Sequence, residues 1–104
     1  MPLRETDARR LLRRLLAEGI FVVSPHARLE MKKDNLTDVD VVNILRDGVV
    51  QPGEWENGSW RYRVLTQRMA VVAAFEPDVE GLPSEGEDVS EIELAVVTAW
   101  RQES

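Results

Sequence analysis

Two hydrophobic periods run along this chain, and the switch between them divides a helical half from a sheet half. Over residues 7–18, Ala8, Leu11, Leu12, Leu15 and Leu16 share one helical face, and Arg9, Arg10, Arg13 and Arg14 cover the other. Gly19 supplies a stop. Ile20-Phe21-Val22-Val23 is a short β-branched and aromatic run, read as a brief extended strand or a buried connector. Ser24-Pro25 is a start signal, hydroxyl as N-cap and proline at the first helical position, for a helix from 25 to about 33. Thr37-Asp38-Val39-Asp40 resembles a capping box with Asp in place of the usual Glu. It opens a third helix that buries Val41, Val42, Ile44 and Leu45 and stops at Gly48.

From Val49 the period drops to two. Val49-Val50-Gln51 runs into Pro52-Gly53, which predicts a bent or edge strand. Asn57-Gly58 is a strong tight-hairpin signal. In the next strand Trp60, Tyr62 and Val64 face one way, and Arg61, Arg63 and Leu65 the other. Met69 to Phe75 is apolar on both faces and reads as a central strand. Residues 76–91 form an acidic loop, long for a hairpin connection and expected to be mobile. The last strand runs from Ile92 to Trp100.

Composition narrows the class. A chain of 104 residues, 43% apolar and 31% charged, suits one domain with one core. Without cysteine there are no disulfides or thiolate metal sites, a usage that fits a reducing compartment. No apolar run approaches the roughly 20 residues of a membrane span. The start lacks a signal-like apolar stretch, so a cytoplasmic location is expected. The net charge of −6 argues at first against nucleic acid. However, eight carboxylates lie in 76–93, and without them the chain would carry +2. A basic face elsewhere is therefore compatible with the total.

Three groups of residues could carry chemistry. His26 is the only histidine and falls in the first turn of a helix. It can serve there as a base near a phosphate or as a structural ring bonding a backbone carbonyl. Arg61 and Arg63 share a strand face roughly 7 Å apart, a spacing that can grip a phosphodiester or simply decorate an exposed sheet. Trp55, Trp60, Tyr62 and Trp100 gather around the hairpin and last strand, as base-stacking rings or as cover for the sheet. One histidine without cysteine does not make a standard zinc site, and phosphate loops, nucleophile elbows and dinucleotide fingerprints are absent. No cofactor is implied.

Ser24-Pro25-His26-Ala27-Arg28-Leu29-Glu30-Met31, followed by Leu36-Thr37 and Asp40, resembles a bacterial family of domains of unknown function. That family has the pattern S-x-H-A-x-x-[R/E]-M and is grouped with RelE- and MqsR-like toxins of type II toxin–antitoxin systems. Val50 to Glu54, Asn57 to Val64 and Val96 to Arg101 extend the resemblance over roughly residues 20–101, apart from the acidic loop. It implies a RelE/barnase-like fold, metal-independent RNA cleavage by 2′-hydroxyl attack, and an MqsA-like antitoxin as protein partner. By position, His26 would be the acid/base, Arg61 and Arg63 would hold the scissile phosphate, and Tyr62 or Thr98 would assist, with Trp100 beside them. Glu30 and Asp34 stand where many relatives have Arg. Glu30, one helical turn after His26, is expected to orient its imidazole.

The expectation is thus an α+β domain, three N-terminal helices packed on a four-stranded antiparallel sheet. Its expected function is that of an endoribonuclease toxin acting on RNA. The rival is a catalytically inert protein-binding module on the same scaffold, using its acidic loop or aromatic sheet face.

Overall fold

Capping chemistry fixes the three helices. The computed structural model describes residues 1–102 and places α1 at Glu5–Ala17, α2 at Pro25–Lys33 and α3 at Asp38–Asp47. Helix α1 ends in two bonds, Ile20 N–H to Leu15 C=O (2.9 Å) and Gly19 N–H to Leu16 C=O (3.1 Å). Helix α2 ends in the same way, with Asn35 taking the left-handed position at φ 57°. Both halves of the α3 capping box form: Thr37 Oγ1 accepts from Asp40 N–H (3.2 Å), and Asp40 Oδ2 accepts from Thr37 N–H (2.9 Å). The bond from the Thr37 backbone holds the Asp40 carboxyl below its ordinary value.

Gly48 ends α3 without a left-handed turn. Its backbone is extended, at φ −74° and ψ 172°. A Cβ there would lie 2.6 Å from Ile44 O and 2.8 Å from Val64 Cγ1, so glycine allows the helix end to press onto the sheet.

The sheet has six strands rather than four. They are β1 (Phe21–Val23), β2 (Val49–Val50), β3 (Glu54–Glu56), β4 (Ser59–Leu65), β5 (Met69–Glu76) and β6 (Glu93–Arg101), in the order β1-β6-β5-β4-β2. The strand expected to bend at Pro52-Gly53 is split there into β2 and β3, both paired with β4. The run at 21–23 is a true strand that pairs parallel to β6. All other pairings are antiparallel.

The helices cover one face of the sheet. Leu11, Leu12 and Leu15 of α1, and Val41, Ile44 and Leu45 of α3, pack on Tyr62, Val64, Val71, Ala73, Phe75, Leu94 and Val96. Helix α2 follows directly from β1 and lies beside β6, burying Ala27 and Met31. The acidic loop is anchored rather than loose. Val89 is buried, Val79, Leu82 and Ile92 pack on the core, and the Arg14 guanidinium donates to the carbonyls of Ser84 (2.9 Å) and Glu87. Among the described residues no helix is long and apolar enough to cross a membrane.

Candidate functional site

The sheet register builds the second face row by row. Arg61 lies opposite Ala74 and Ala95, Arg63 opposite Val72 and Thr98, and Leu65 opposite Ala70 and Trp100. None of these residues belongs to the core packed under the helices. Small side chains on β5 form the floor, and longer ones from β4 and β6 lean over it. Arg63 Cζ stands 6.0 Å from the centre of the Trp100 ring, a cation–π approach across the central strand.

A β-bulge puts Thr98 and Trp100 on this face. Val72 pairs with Thr98 while Ala73 pairs with Val96, so Val97 is an extra residue in β6. With unbroken alternation Thr98 and Trp100 would point the same way as Leu94 and Val96, into the core. The bulge reverses them, and Ala99 becomes the buried residue instead. Ser24 clasps it: its hydroxyl donates to Val97 C=O (3.1 Å) while accepting from Ala27 N–H (3.0 Å) as the cap of α2. One serine therefore sets both the start of α2 and the turn of β6.

His26 follows two residues later and is exposed. Helical periodicity settles its flank. Ala27 and Met31 face inward, and Arg28 reaches across to Asp38 at the start of α3, forming a two-bond ion pair on the helix-covered side. At 3.6 residues per turn, His26 lies about 160° around the helix from Arg28, on the flank of the open face. The chain at Ser24 is beside Val96 and Val97. The first turn of α2, which holds His26, therefore starts beside the bulged stretch of β6.

Three expected roles require correction. Tyr62 does not share this face. Its side chain is 2% exposed, packs on Phe75, and its hydroxyl accepts from Leu3 N–H (2.8 Å). Burial pushes its hydroxyl pKa up, against the pull of the Leu3 bond. Strand alternation, which separates Tyr62 from Arg61 and Arg63, rules out a common ligand. Glu30 does not hold His26; it bonds Lys33 Nζ at 3.2 Å, the neighbour one helical turn away. Arg61 is not the twin of Arg63. Glu54 lies directly opposite it, and Glu56 Oε1 is 3.7 Å from Arg61 Nη1. The sheet brings Arg63, Thr98 and Trp100 together on one face.

The carboxylates around Arg61 come from the facing strand β3. Glu56 lies opposite Ser59 and Glu76 opposite Glu93, and Glu54 lies opposite Arg61. The hairpin at Asn57-Gly58 already contained part of this signal, because a two-residue turn must pair Glu56 with Ser59 and Glu54 with Arg61. The open face is therefore graded, acidic at one end, cationic at its centre, and apolar around Leu65 and Trp100. The departure at Asp34 has a structural job. Asp34 Oδ2 accepts from Arg101 N–H (2.8 Å), and Arg101 Nε donates to Asp34 C=O (2.7 Å), tying α2 to the end of β6. Trp55 is 58% exposed and stacks edge-on against Trp60 at the β3 edge, away from Trp100.

Among the described residues no three histidine or carboxylate side chains converge as metal ligands. No family model, curated protein or solved structure matches this chain.

Proposed function

We propose that this protein is an endoribonuclease of the toxin type, with a RelE/barnase-like fold, that cleaves RNA on its open sheet face without a metal. The observation that carries the reading is Arg63 poised over Trp100 beside Thr98, with an exposed His26 in the first turn of the helix that starts beside β6. A guanidinium over an aromatic ring offers charge for a phosphate and a flat surface for the adjoining base. In the reaction, His26 takes the proton of a ribose 2′-hydroxyl, and that oxygen attacks the neighbouring phosphorus. Arg63 stabilises the added negative charge of the five-coordinate phosphorus. The P–O5′ bond breaks, and the leaving oxygen takes a proton from water at this open face. The products are a 2′,3′-cyclic phosphate and a 5′-hydroxyl.

An enzyme of this kind needs a partner to restrain it in its own cell, and an MqsA-like antitoxin protein is the proposed one. One observation favours the rival reading of a catalytically inert protein-binding module: Glu30 engages Lys33, which leaves the imidazole without the expected carboxylate partner.

The test is incubation of purified protein with single-stranded RNA in the presence of a chelator. Cleavage with cyclic-phosphate ends is expected, and His26→Ala should slow it about 10²–10⁴-fold, the usual loss for an acid–base residue. RNA left intact, or cut equally by His26→Ala, would overturn the nuclease reading and leave the binding module.

A further inference from the structure

Beyond the Arg63 row, the acidic end of the open face holds a cavity of about 410 Å³ between the Asn57-Gly58 turn and the turn after β5. Its walls include Asn57, Ser59, Arg61, Glu76 and Asp78. Ser59, Arg61 and Glu76 lie on the open side of the sheet by register. Arg61 lies one strand repeat, about 7 Å, from Arg63. A nucleotide whose phosphate meets Arg63 can thus reach this cavity with an adjoining base.

The cavity's charge decides what it accepts. Glu54 and Glu56 beside Arg61, and Glu76 and Glu93 across the strands, disfavour a second phosphate here. A neutral base rich in donors is favoured. Asp78 already accepts from the Trp60 backbone N–H at 3.2 Å. Arg61 is drawn toward Ser59 Oγ (3.5 Å) and Glu56 (3.7 Å), so its ion pair is not with Glu76. The cavity thereby offers a carboxylate, Glu76, and a guanidinium fork, Arg61, as separate groups.

We infer that this cavity is a base-recognition subsite selective for guanine. Guanine presents two adjacent donors, N1–H and N2–H, which match the two oxygens of a carboxylate. It also presents two adjacent acceptors, O6 and N7, which match an arginine fork. Adenine and cytosine each set a ring acceptor beside their amino group, so a carboxylate faces one bond and one repulsion. Uracil places its single N–H between two carbonyls. The inference rests on the nuclease reading for its biological meaning, but the binding itself can be measured without any cleavage.

The experiment is titration of the full chain with guanosine, inosine, adenosine, cytidine and uridine, followed by backbone amide NMR shifts. Guanosine should move the amides of Asn57, Gly58, Ser59 and Asp78 and bind at least about tenfold more tightly than the adenine and pyrimidine nucleosides. Inosine, lacking the 2-amino group, should fall between. Glu76→Gln should remove the guanosine preference while keeping the wild-type spectrum elsewhere. Equal binding of all nucleosides, shifts confined to other surfaces, or an unchanged preference in Glu76→Gln would each overturn the subsite. Guanosine selectivity in a protein that leaves RNA intact would keep the subsite and remove the nuclease reading. RNA cleavage indifferent to base would do the reverse.

Discussion

The two faces of the sheet are built from the same strands, yet they meet opposite demands. On the helix-covered face the buried side chains are apolar apart from Tyr62, whose hydroxyl accepts a backbone bond. On the other face arginine, threonine, glutamate and tryptophan stand over a floor of Ala70, Val72 and Ala74. A one-residue alternation separates them, so stability and chemistry can be changed independently. Helix α2 belongs to both faces: Ala27 and Met31 serve the core, while His26 looks toward the open side.

Substitutions on the two faces should therefore separate cleanly. Leu45→Ala empties a fully buried position and should cost about 2–5 kcal/mol in chemical denaturation. Arg63→Ala, on the exposed face, should stay within about 0.5 kcal/mol of wild type while abolishing RNA binding. An Arg63 variant that unfolds as readily as the Leu45 variant would show that the open face is structural after all.

Ser24→Ala probes the junction of the faces. Loss of the helix cap should cost about 1–2 kcal/mol by thermal or chemical unfolding. Because the same hydroxyl holds the bulge, shifts of the Val97, Thr98 and Trp100 amides should accompany the loss. If only α2 amides respond, the bulge does not depend on the clasp.

The smallest effect lies at the start of α3. The Asp40 carboxyl is held below its ordinary value by the Thr37 backbone N–H. Its contribution to stability is therefore full above the unfolded-state pKa, near 4, and disappears as pH falls through the lower native value. Asp40→Asn should melt below wild type at neutral pH, and the gap should close in acid. A gap that is constant with pH would contradict the capping role.

Local signals made the helices readable. Ser24-Pro25 and the Thr37–Asp40 box mark the starts of α2 and α3 where the structure has them, and the α1 stripe is buried as its spacing requires. The alternation of β4 and the buried character of β5 were equally legible. Pairings distant in sequence were not. Nothing near Phe21–Val23 announces a parallel partner at Leu94–Val96, because that register is set by packing 73 residues away in the chain. The Val97 bulge is also silent locally, yet it decides whether Thr98 and Trp100 reach the site. For Tyr62 the alternation set it on the face opposite Arg61 and Arg63, whereas the family resemblance suggested substrate. Packing followed the alternation.

The claim that the uncovered face is the functional one is tested most directly with a short single-stranded DNA. Lacking the 2′-hydroxyl, it binds as an uncleavable analogue of RNA. Amide NMR shifts should concentrate at Arg63, Val72, Thr98, Trp100 and the first turn of α2, and should weaken with rising salt, as phosphate contacts do. Shifts clustered instead on α1 and α3, or no shifts at low salt, would contradict the account.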